Sequence, residues 1–85
     1  MDFYVIVFET THHAIAASRV FKNKNYNFDV IPTPRMITNN CGLAIKFGEE
    51  DLEKIKESIK ESDIKMKDIY KIQRVGDERT ASRII

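Results

Sequence analysis

The run Phe3-Tyr4-Val5-Ile6-Val7-Phe8 is apolar at every position and mixes β-branched with aromatic side chains. In a strand, alternate residues point to opposite faces, so Phe3, Val5 and Val7 share one face and Tyr4, Ile6 and Phe8 the other. Both faces are apolar, which predicts a central strand with neither face fully wet. The run is far too short to span a membrane, which takes about 20 apolar residues in a helix. At 85 residues the chain has room for one core, so the remaining segments must cover this strand.

They follow in a definite order. Glu9-Thr10-Thr11 ends the strand, and Thr10 or Thr11 supplies a hydroxyl to cap a helix from about His12 to Lys22. Ala14, Ala17, Val20 and Phe21 form its apolar face, and the alanines allow close approach to a sheet. Asn23-Lys24-Asn25 is the exit turn. Tyr26 to Ile31 reads as a second strand and Leu43 to Phe47 as a third. A second helix starts among Glu49, Glu50, Asp51 and Glu53, whose charges suit a helix N-terminus, and buries Leu52, Ile55 and Ile59. Met66 to Gln73 is the fourth strand. Arg74 to Ile85 is polar and unpatterned and reads as a mobile tail, leaving residues 1–73 as the domain.

The order strand, helix, strand, strand, helix, strand predicts an α+β ferredoxin-like βαββαβ sandwich, with two helices on one face of a four-stranded antiparallel sheet. The other face is then open and partly apolar, and a homo-oligomer or a partner protein would cover it.

Between the second and third strands lies Ile31-Pro32-Thr33-Pro34-Arg35-Met36-Ile37-Thr38-Asn39-Asn40-Cys41-Gly42. It holds both prolines and the only cysteine. One cysteine excludes an internal disulfide, and a free thiol suits a reducing, cytoplasmic compartment. Asp2 directly follows Met1, so no basic leader and apolar stretch marks a secretory signal. Two readings of Cys41 stay open from the residues alone. It packs as a small hydrophobe, or it is a reachable thiol beside polar Asn39 and Asn40. In the second reading Gly42 leaves room for approach and Arg35 lowers the thiol pKa.

Thr11-His12, then Ile31-Pro32-Thr33-Pro34-Arg35, then Cys41-Gly42-Leu43-Ala44 resemble the selenium/sulfur (Se/S) carrier protein-like family, over roughly Phe3 to Tyr70. The Pro-Thr-Pro-Arg loop followed by Cys-Gly is the most specific part. The resemblance implies functional positions at Pro32, Pro34, Arg35, Cys41 and Gly42, with Thr33, Asn39 and Asn40 beside them. It implies a chalcogen held on Cys41 as a persulfide or perselenide, loaded from a donor protein and passed to an acceptor. Such a role needs no cofactor and no metal, and it is transfer more than turnover. The competing reading is a non-catalytic binding module, or a small-molecule regulatory dimer, in which Cys41 is structural.

Other signals are weaker. With the first and third strands taken as parallel, His12 and Cys41 fall at opposite ends of the sheet, ~17 Å apart. That arrangement argues against a Cys–His dyad and makes His12 and His13 solvent-facing first-turn residues. The same topology brings Arg74 and Arg79 to the Cys41 end. Gly42, Gly48 and Gly76 form no phosphate-cradling loop, and one cysteine with two adjacent histidines is not a zinc set. A net charge of +1 gives no general attraction to nucleic acid or to anionic lipid.

Overall fold

The computed structural model describes residues 2–34, 37 and 42–84. The strands are β1 (Phe3–Val7), β2 (Phe28–Pro32), β3 (Leu43–Phe47), β4 (Asp68–Val75) and β5 (Glu78–Arg83), and the helices are α1 (Thr11–Asn23) and α2 (Leu52–Glu61). One antiparallel sheet runs in the order β2-β3-β1-β4-β5. The class is α+β as expected, but with five strands rather than the four of the ferredoxin-like pattern.

β1 lies inside the sheet because it is apolar on both sides, with β3 on one flank and β4 on the other. Tyr4, Ile6 and Phe8 face the helices and meet Ala14, Ala17 and Phe21 of α1, Ile45 and Phe47 of β3, Ile55 of α2 and Ile69 of β4. Tyr4 stacks on Phe47 with ring centroids 5.5 Å apart. The helix N-cap is Thr10, whose hydroxyl accepts from the His13 N–H at 3.2 Å. Asn25 leaves the helix at φ 59, a left-handed conformation that asparagine tolerates.

The face away from the helices is covered within the chain. Val5, Val7, Ala44 and Ile72 are all buried, with Phe3, Ile31, Ile37, Tyr70 and Ala81 packed around them. This face is therefore not left bare in the single chain.

The expected tail is also corrected. Arg74 and Val75 complete β4, the chain turns at Gly76-Asp77, and Glu78–Arg83 pair with β4 in register, Ala81 opposite Ile72 and Arg83 opposite Tyr70. Gly76 has φ 63 and Asp77 is not in the positive-φ region, the pattern of a two-residue II′ hairpin turn. β5 leaves no alternating apolar pattern in the sequence, since Ala81 is its one apolar residue. Ending the chain after Val75 is expected to lower the urea midpoint of unfolding, because β4 loses its ladder partner and Ile72 its cover. An unchanged midpoint would mean that these residues behave as a tail.

Candidate functional site

The loop joining β2 to β3 is closed at its neck. Pro32 pairs with Leu43, and the Thr33 N–H donates to the Gly42 carbonyl at 3.3 Å. β2 is a sheet edge, where a proline without an N–H is tolerated in the ladder. Beyond the neck, the Ile37 N–H donates to the Pro34 carbonyl at 3.1 Å. The Ile37 side chain packs against the covered sheet face opposite the helices. Thr33 Oγ1 is enclosed and has no hydrogen-bond partner among the described residues. Among the described residues, a Cβ built on Gly42 would meet nothing within 4 Å. The described residues leave the backbone there open to approach, and none of them requires a glycine.

Of the residues singled out in the sequence, Pro32, Thr33, Pro34 and Gly42 are thus gathered at the neck. Arg35, Asn39, Asn40 and Cys41 lie outside the described residues. Cys41 is the covalent neighbour of Gly42.

The geometry around the neck corrects two sequence expectations. β1 and β3 are antiparallel, with Val7 opposite Ala44, so the end of β1 lies beside the start of β3. The N-terminus of α1, with His12 and His13, is therefore at the same end of the sheet as Gly42. The separation by a strand's length does not hold. α1 packs on the helix-side cluster, however, whereas Ile37 of the loop packs on the other. Conversely, β4 begins at the Gly42 end, with Asp68 opposite Val7, and Arg74 pairs with Arg79 at the far end. Neither arginine is near the neck. The basic residue that β5 carries back to the Gly42 end is Arg83, 3.8 Å from Asp68. The Gly76-Asp77 dipeptide between two short segments was the signal that could have found it.

A second constellation is structural. Ser58 Oγ accepts from Lys24 Nζ at 3.0 Å and lies 2.8 Å from the Tyr26 hydroxyl. A serine beside a lysine and a tyrosine can form a nucleophile set, but Ser58 is 1% exposed and closed to a substrate. The trio ties the α1–β2 turn to α2.

The family model described as "Putative Se/S carrier protein-like" matches residues 3–71, from the first residue of β1 into β4. The chain belongs to this family. The match contains the whole β2–β3 loop of this Se/S carrier-like chain and stops short of Arg74, the hairpin turn and β5. No match was found among curated proteins or among solved structures. Among the described residues, no helix is long and apolar enough to cross a membrane.

Proposed function

We propose that this chain carries sulfur or selenium on Cys41 and exchanges it with donor and acceptor proteins. The observation that carries the reading is the family match across the β2–β3 loop, supported by a hydrogen-bonded neck at which no described residue crowds Gly42. In the loading step the Cys41 thiolate attacks the outer sulfur of a donor cysteine persulfide. The new bond joins Cys41 sulfur to that outer sulfur, the donor's S–S bond breaks, and the donor leaves as a thiolate. The proton stays on the transferred sulfur, and no net oxidation occurs. Delivery is the same exchange in reverse onto an acceptor thiolate, and a perselenide follows the same course.

The step needs a thiolate, an open approach and groups that stabilise negative charge. Arg35 supplies a cation in the same loop, and Asn39 and Asn40 supply amide donors. Thr33 Oγ1, enclosed and without a described partner, supplies a hydroxyl at the neck. The positive end of α1 adds to the field at this end of the sheet.

The test is the rate of Cys41 alkylation against pH on the native protein. The rate follows the thiolate fraction, so it rises with pH and levels off above the thiol pKa. A midpoint below the ordinary ~8.5 is expected, moving back toward it in Arg35→Gln. Labelling that appears only on unfolding would make Cys41 a packing residue and turn the loop into a binding surface.

A further inference from the structure

At the end of the sheet away from Gly42, on the face opposite the helices, three cations surround one hollow. Lys46 comes from β3, Arg74 from β4 and Arg79 from β5, with Phe3 and Ile72 between them. The hollow is about 310 Å³. Lys46 Nζ lies 4.5 Å from the centre of the Phe3 ring. Arg74 and Arg79 are direct register partners across the β4–β5 ladder, a placement in which like charges oppose each other at a cost to sheet stability. Among the described residues no carboxylate forms an ion pair with any of the three. Asp29, the register partner of Lys46, does not. Arg74 Nε is engaged by the Gly76 carbonyl at 3.3 Å, leaving the other guanidinium donors of Arg74, and all of those of Arg79, for another acceptor.

We infer that this hollow binds a phosphorylated small molecule, with the phosphate between Arg74 and Arg79 and the organic part against the Phe3 ring. A phosphate monoester brings between one and two negative charges and three acceptor oxygens, and arginine holds such a group through paired hydrogen bonds. Lys46, whose ammonium lies over the Phe3 ring, adds a point charge there. A nucleic acid strand fits less well. Among the described residues of this face the cations without an ion pair lie at one end, Asp68 already partners Arg83 at the other end, and a net charge of +1 gives little general pull on a polyanion. The site is independent of the carrier reading, since it lies at the opposite end of the sheet and both arginines fall outside the family match.

The experiment follows backbone amide shifts of the whole chain at low salt during titration with inorganic phosphate, adenosine monophosphate and a single-stranded oligothymidylate. Saturable shifts at residues 3, 46, 72–74 and 79 are expected, with the mononucleotide binding more tightly than phosphate. Arg79→Gln weakens both by roughly tenfold or more, the effect of losing a charged hydrogen-bonding pair. Its unfolding midpoint stays equal or rises, because it removes the facing like charge. Lys46→Gln weakens them in the same direction and serves as the second variant, and Lys54→Gln on α2 leaves binding unchanged. Shifts that never saturate, that centre on the α2 lysines, or that persist in both site variants would overturn the site. An oligonucleotide bound far more tightly than the mononucleotide, with shifts across the whole face, would replace it with a nucleic-acid surface.

Discussion

Phe21→Ala is expected to lower the free energy of unfolding by about 3–5 kcal/mol. Phe21 is fully buried, with Phe28 edge-on to its ring at 5.8 Å and Tyr26 tilted against it at 5.9 Å. Truncation removes the ring's transfer energy and leaves a cavity whose walls belong to α1, β2 and the turn between them, so collapse is limited. A domain of this size holds about 4–13 kcal/mol in total, at ~0.05–0.15 kcal/mol per residue. The variant therefore sits close to the edge of folding. Urea unfolding with an unchanged slope and a strongly lowered midpoint is the expected record. Val30→Ala, at a side chain 46% exposed on the edge strand, is the comparison and should shift the midpoint little. If Phe21→Ala behaved like Val30→Ala, α1 would not be docked as described.

Cys41→Ser is expected to abolish chalcogen loading. Serine keeps the size of the side chain but has no ionised form near neutral pH, and the exchange depends on a sulfur nucleophile. The wild-type protein, incubated with a persulfide donor, should gain the mass of one sulfur atom and lose it again to added thiol. The variant should gain nothing and should unfold at nearly the wild-type midpoint. Separating the two readouts matters. A variant that failed to load and was also strongly destabilised would identify Cys41 as a core residue, against the carrier reading. Loading that survived in Cys41→Ser would place the chemistry on a donor carry-over, since the chain has one cysteine.

Much of the fold is written in local pattern. The double-sided apolar run made β1 central, the 3.6-residue spacing of Ala14, Ala17 and Phe21 gave α1 its buried face, and Thr10 marked its start. Alternation in Leu43–Phe47 gave β3, and the Pro-Thr-Pro-Arg and Cys-Gly segments marked the loop that the family match spans. Ser58 escaped notice because a serine within an apolar stripe looks like a solvated position, until Lys24 and Tyr26 arrive from elsewhere to satisfy its hydroxyl.

The amino-acid order by itself determined the first four strands and the two helices, and which side of β1, α1 and β3 is apolar, because those depend on residues a few positions apart. Only the tertiary structure decided the direction of β3 beside β1, and with it that α1 begins at the Gly42 end and that Arg74 and Arg79 do not. It also decided that a polar C-terminal segment becomes β5. Strand direction and edge pairing are set by ladder hydrogen bonds between residues far apart in the chain. Those bonds use backbone groups that every residue carries, so they leave little trace in side-chain pattern.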